Sequence, residues 1–118
     1  MVRLSFLLVC PVLLWGCAPR RPPISCPDPG LVAPPAIGGA KAITSLTPLL
    51  AGGNWENEVD EAAARFRRAD PSISADAVLD VMIAAECPNL VARGVPDART
   101  ERDRVATIRE RVATILGQ

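Results

Sequence analysis

The sequence of 118 residues lacks histidine and tyrosine, and Lys41 is its only lysine. Without histidine, the chain has neither the commonest general base nor the commonest metal ligand. It also has no Cys-x-x-Cys motif, no serine–histidine pair and no glycine-rich phosphate loop. We therefore predict that the protein is not an enzyme and that it has no catalytic residue, no metal site, no cofactor and no small-molecule substrate.

Neither sign of charge is in excess. The chain has 13 basic and 13 acidic side chains, and loss of the first 16 residues would remove only Arg3. A protein that binds nucleic acid needs a basic surface to meet the phosphates. The balance of charge therefore predicts that nucleic acid is not a partner.

Only one long apolar run occurs, and it lies at the N-terminus. Arg3 precedes about a dozen mostly apolar residues, which end at Gly16 before Cys17. The run is shorter than the roughly 20 residues that span a bilayer, and it contains Pro11. These features predict a signal peptide over 1–16. A signal cut at another site and an uncleaved membrane anchor are the alternatives.

The end of this run, Leu14-Trp15-Gly16-Cys17, resembles the lipobox of bacterial lipoproteins. The resemblance implies cleavage before Cys17, a diacylglyceryl group on its sulfur and a further acyl chain, such as palmitate, on its amine. Two chains anchor a protein stably in a membrane. Residue 18 is Ala rather than Asp. By the sorting pattern of that family, this favours the outer membrane, facing the periplasm, over the inner membrane.

The two remaining cysteines of the mature chain, Cys26 and Cys87, would lie in an oxidising compartment. An intramolecular disulfide between them is the first interpretation, because a small domain gains stability from a cross-link. Cys26 bonded to another protein is the second interpretation, and two free thiols are the third.

Proline and glycine divide the mature chain. They are dense between residues 17 and 39, which predicts a disordered, Pro-rich linker that holds the domain away from the membrane. Residues 40–53 are ambiguous, with a possible short helical turn opened by Thr47 and Pro48. From residue 54 to 118 the apolar residues recur at helical spacing.

Three helices are predicted in this last region, over about 55–69, 75–87 and 98–116. Asn54 and Ser74 are the expected N-caps of the first two, with Ile73 and Val78 as a hydrophobic staple. No pattern of period two indicates a strand, so the predicted class is all-α, a small three-helix bundle after the signal peptide and stalk. The expected core positions are Trp55, Val59, Ala62, Ala63, Phe66, Val78, Leu79, Val81, Met82, Ile83, Ala85, Val105, Ile108, Val112, Ile115 and Leu116.

The function predicted from these features is a membrane-anchored structural or protein-interaction module with an unidentified protein partner in the cell envelope. Two alternatives stay open. The proline-rich stretch from Cys17 through Cys26-Pro27-Asp28-Pro29 resembles the phage outer-membrane spanin lipoproteins, which act in lysis. The spacing of Cys17 and Cys26 is similar to that in the small lipoprotein of type IV secretion cores, which implies a disulfide to an envelope complex.

Overall fold

The computed structural model describes residues 25–94 and 98–117, and all regular structure in these two segments is helical. The predicted all-α class is confirmed. The signal peptide over 1–16, the lipobox and Cys17 lie outside the described residues, as does the linker up to residue 24. The described elements are α1 (Pro29–Val32), a 3₁₀ turn (Pro35–Ile37), α2 (Ala40–Leu50), α3 (Trp55–Ala69), α4 (Ala75–Arg93) and α5 (Ala98–Leu116).

The bundle contains four long helices rather than the predicted three, because residues 40–50 form a complete helix, α2. Thr47 and Pro48 lie in its last turns and do not open it. The missing N–H of Pro48 removes one helical hydrogen bond. Burial of Ile43, Leu46 and Leu50 at helical spacing offsets that loss.

Helix α4 is the centre of the bundle, and α1, α2 and α5 all pack against it. Ser74 caps it as expected, since its hydroxyl accepts a hydrogen bond from the Ala77 N–H at 3.1 Å. The helix continues to Arg93 instead of ending near Cys87. Pro88 therefore lies inside the helix, where tertiary contacts outweigh its cost.

Helix α3 packs mainly on α5. Its predicted face is buried at Val59, Ala62, Ala63 and Phe66. Asn54 stands before the helix but makes no side-chain bond to its backbone. The side-chain carbonyl oxygen of Asn54 instead accepts a hydrogen bond from the Asn57 side-chain amide at 2.6 Å.

Some predicted core positions are at the surface. Ile83 of α4 is 38% exposed and Ile115 of α5 is 40% exposed, whereas Leu116 is buried. A helical stripe wider than the neighbouring helix leaves its outer residues in solvent.

The segment from Ser25 to Gly39, which we name the strap, differs from the predicted disordered linker in the part that the structure describes. It contains α1 and the 3₁₀ turn, and it packs against α2, α3 and α4. The Asp28 carboxylate caps α1 by accepting from the Gly30 N–H at 2.9 Å. Ala33 is buried in the core at 5% exposure. Proline prevents long helices here but allows short turns that dock on the bundle.

Candidate functional site

The strap is joined covalently to the bundle. Cys26 and Cys87 form a disulfide in the structure, with their Cα atoms 5.6 Å apart and a sequence separation of 61. Cys87 is only 8% exposed, because it lies on the inner side of α4. This arrangement corresponds to the first of the three interpretations of the cysteines. A loop of this length gives a stabilisation of about 4 kcal/mol in the chain-entropy model.

Glu86 precedes the bonded cysteine and is the one charged residue that is fully buried in the described part of the chain. Its carboxylate lies between Arg93, later in the same helix, and Arg104 of α5. Arg104 approaches with Nε 2.9 Å from Oε1 and Nη2 3.1 Å from Oε2. Only the Nη2 contact is aligned as a hydrogen bond, and the Nε–H is not directed at an acceptor. Two cations thus compensate the cost of burying one carboxylate.

Arg104 connects four helices through one guanidinium group. Besides Glu86 of α4, its Nη2 donates to the backbone carbonyl of Leu50 at the end of α2. The guanidinium also stands over the Trp55 ring of α3, 4.1 Å from the ring centroid, in cation–π geometry. The carbonyl of Leu50 belongs to the last turn of a helix, where it has no intrahelical partner. Arg104 therefore caps α2 and holds α3 and α4 to α5.

The side chain of Asn89, also on α4, makes a further link between Glu86 and α2. The Asn89 amide donates to the carbonyl of Thr47 at 2.8 Å and, more weakly, to Glu86 Oε2 at 3.4 Å. The Thr47 hydroxyl lies 2.8 Å from the carbonyl of Ala85 and donates in that direction. We call Glu86, Asn89, Arg93 and Arg104 the Glu86 cluster. It satisfies the carbonyls of Thr47 and Leu50, which lie in the last turn of α2, where backbone carbonyls have no intrahelical partner.

Glu101 of α5 lies close enough to the Glu86 cluster for the charges of that cluster to affect its pKa. Burial raises the pKa of its carboxyl group above the ordinary value of 4.5, and the negative charge of Glu86 raises it further. Arg104 and Arg93 lower the pKa again in part. Glu101 thus holds its proton more tightly than an exposed glutamate does.

Glu101 lines a groove of about 240 Å³ that runs beside the disulfide between α4 and α5. Its other walls include Ser25 and Pro27 of the strap, Leu90 of α4 and Val105 of α5. The walls are mostly apolar, and the Glu86 carboxylate at the bottom is occupied by its arginines. The groove therefore offers contact area to an apolar group rather than a reactive atom.

The chemistry of the Glu86 cluster is structural. The Glu86 carboxylate lies between two guanidinium groups, and the Arg104 guanidinium contacts Glu86, the Leu50 carbonyl and the Trp55 ring, so both side chains are engaged in holding the helices together. Among residues 25–94 and 98–117, no three His, Cys, Asp or Glu side chains come together as a metal site. In the same segments, none of the helices combines the length and the hydrophobicity needed to cross a membrane.

The residues Cys26 and Cys87 were predicted from the sequence as a bonded pair, whereas the Glu86 cluster was not predicted. One signal for it was present: Val78, Met82 and Glu86 recur every four residues, so Glu86 falls on the core stripe of α4. A buried carboxylate requires a cation. Arg104 is one of several arginines on α5, and only the packing of α5 distinguishes it from the others.

The chain was compared with known proteins at the level of family, sequence and fold. No protein-family model matches it, and no curated protein or solved structure matches it either.

Proposed function

We propose that the protein is an exported, lipid-anchored helical module that works as a structural or protein-interaction component of the bacterial cell envelope, without catalysis. The anchor is Cys17, and the proposed location is the periplasmic face of the outer membrane. The observation that carries the proposal is the Cys26–Cys87 disulfide beside the lipobox-like sequence. Structural disulfides persist in oxidising compartments outside the cytoplasm, which is where a lipobox would deliver the chain.

The disulfide also defines how the domain would be tethered. Nine residues of chain lead from Cys17 to Cys26, and they span at most about 30 Å when fully extended. Beyond Cys26 the strap is packed on the bundle. The proposed anchor thus keeps the domain close to the leaflet, about half as far as a disordered linker of twenty residues would allow.

The Glu86 cluster supports a structural role over a catalytic one. Its side chains bind the ends of helices to one another and to the helix that carries the disulfide. A bundle fixed in this way presents constant surfaces to a partner, and preorganised surfaces lose less entropy on binding. The partner itself is proposed only as a protein of the envelope.

The decisive experiment is mass spectrometry of the mature N-terminus, together with fractionation of a Cys17→Ser variant. We expect a triacylated residue 17 in the wild type and release of the variant from the membrane fraction. A matched Cys10→Ser variant should remain acylated, since residue 10 would leave with the signal peptide. An unmodified Cys17, or a Cys17→Ser protein that stays in the membrane, would refute the lipoprotein proposal.

The two alternatives are a spanin-type lysis lipoprotein and an accessory lipoprotein bonded through Cys26 to an envelope complex. Neighbouring genes that encode an endolysin would favour the first alternative, and a non-reducing gel tests the second. With Cys26 bonded to Cys87, no cysteine in the described segments remains for a partner. We expect a monomeric band whose mass does not change on reduction. A heavier band that reduction removes would favour the disulfide-linked complex.

A further inference from the structure

The surface beside the disulfide carries two of the five large hydrophobic side chains that are exposed in the described segments. Leu31, at the end of the one-turn helix α1, is 86% exposed, the highest value among the large exposed hydrophobic side chains. Ile83 of α4 is 38% exposed next to it. Both line a second groove of about 330 Å³ between the strap and α4. Contiguous exposed apolar patches on a protein surface can mark sites of interaction with a protein or a membrane.

The two grooves form one continuous surface. Pro27 and Ile83 line both of them, so the apolar area extends from Leu31 across α4 to Leu90 and Val105. We call these five residues the strap face. Val105 and Ile83 were expected in the core, and their position here is what leaves the face apolar. The face has a projecting tip at Leu31 and a groove behind it.

The strap face lies where the chain leaves the described structure towards Cys17. Ser25, the first described residue, lines the groove beside the disulfide. Eight residues lead from it to Cys17, which limits their separation to about 28 Å. Of all the surfaces of the domain, the strap face is therefore the one tied most closely to the proposed lipid anchor.

The charges around the face decide how it would meet a membrane. The Glu86 carboxylate behind it is compensated by Arg93 and Arg104. Asp80 and Glu101 border the grooves and oppose attraction to anionic headgroups. Contact with lipid would therefore depend on insertion of apolar side chains, which salt does not screen.

We propose that the strap face rests on the lipid leaflet, with Leu31 inserted among the acyl chains and Ile83 in contact behind it. The inference rests on the proposed anchor at Cys17, which supplies the leaflet at high effective concentration. The domain then has a fixed orientation. α2 and the exposed side of α3 face away from the membrane and remain free for a protein partner.

Depth-dependent quenching by brominated lipid tests this orientation. The chain from residue 17 to 118 is coupled through the Cys17 thiol to a maleimide lipid in vesicles of phosphatidylethanolamine and phosphatidylglycerol. Trp55 is its only tryptophan and provides the background emission. A Leu31→Trp variant reports on the strap face. Leu49→Trp is the matched control, because Leu49 is 42% exposed on α2, away from both grooves.

We expect brominated acyl chains to reduce the added emission of Leu31→Trp about twofold at low and high salt, and to leave that of Leu49→Trp unchanged. Adding Ile83→Asp to Leu31→Trp should abolish the quenching while circular dichroism shows a folded bundle. Quenching of neither tryptophan, or equal quenching of both, overturns the inference. A strap face that stays unquenched is then assigned to a protein contact.

The chemical coupling keeps this result separate from the proposed function. The vesicle experiment reports the orientation even if Cys17 carries no lipid in the cell. In the opposite case, an acylated Cys17 with an unquenched Leu31→Trp removes the orientation and leaves the anchor in place.

Discussion

Replacing Arg104 by methionine is the most direct test of how this bundle is held together. The substitution keeps an unbranched side chain of similar length but removes the guanidinium. Glu86 then stays buried with Arg93 alone, and Arg93 is itself 44% exposed. The carbonyl of Leu50 loses its donor, and Trp55 loses its cation–π partner.

The cost can be estimated from the buried carboxylate. Removing one partner of a buried ion pair typically costs about 3–5 kcal/mol, because the other charge remains desolvated. The hydrogen bond to Leu50 and the cation–π contact involve the same guanidinium, so their contributions are not added separately. We expect a loss of about 3–5 kcal/mol in the free energy of unfolding. For a domain of this size it corresponds to a melting temperature lower by at least about 12 °C.

Arg111→Met is the matched control, since Arg111 lies on the same helix two turns later. It also pairs with two carboxylates, Glu56 and Asp60, but these are 48% and 33% exposed. Solvent screens such pairs, and the expected loss is about 0.5–1 kcal/mol. Urea unfolding followed by far-ultraviolet circular dichroism measures both variants. If Arg104→Met is no more destabilising than Arg111→Met, our account of the Glu86 cluster is wrong.

A double variant separates loss of charge from loss of packing. Glu86→Leu combined with Arg104→Met removes the buried anion together with its main cation. Replacing both partners by apolar groups is often nearly neutral, whereas removing one is costly. We expect the double variant to be more stable than Arg104→Met alone. An additive loss would show that the carboxylate is not what makes the single substitution costly.

Three further predictions follow from individual contacts. Cys26→Ser with Cys87→Ser should lower the free energy of unfolding by about 4 kcal/mol, and reductant should have the same effect on the wild type but none on the variant. The folded state raises the pKa of Glu101, so the folded protein binds this proton more tightly than the unfolded chain does, and the free energy of unfolding falls as pH rises from 4.5 through the raised pKa. Glu101→Gln should flatten this fall. It should also stabilise the protein at neutral pH, by less than about 1 kcal/mol because solvent screens a partly exposed side chain. Ser74→Ala should cost about 1 kcal/mol in urea unfolding, through loss of the cap on Ala77.

Local sequence signals predicted the parts of the fold that depend on local physics. The apolar spacing from Val59 to Phe66 defines one face of a helix whatever it packs against. Ser74 caps α4 because its hydroxyl reaches a backbone N–H three residues away. Proline is a weaker signal, because it can end a helix or lie inside one: residues 40–53 stayed ambiguous around Pro48, and the helix predicted over about 75–87 continues through Pro88 to Arg93. Both prolines lie inside helices that tertiary contacts maintain.

The sequence by itself determined that the described chain is helical and which faces of α3 and α4 are apolar, because hydrophobic periodicity acts within one helix. It also limited the disulfide to Cys26 and Cys87, or to a partner, by leaving no other cysteine after Cys17. Only the tertiary structure decided that Arg104, and not another arginine of α5, meets Glu86. The same holds for the strap face, since the exposure of Leu31 and Ile83 depends on how α1 and α5 pack around α4. Contacts between residues far apart in the chain depend on the relative placement of helices, which no local pattern encodes.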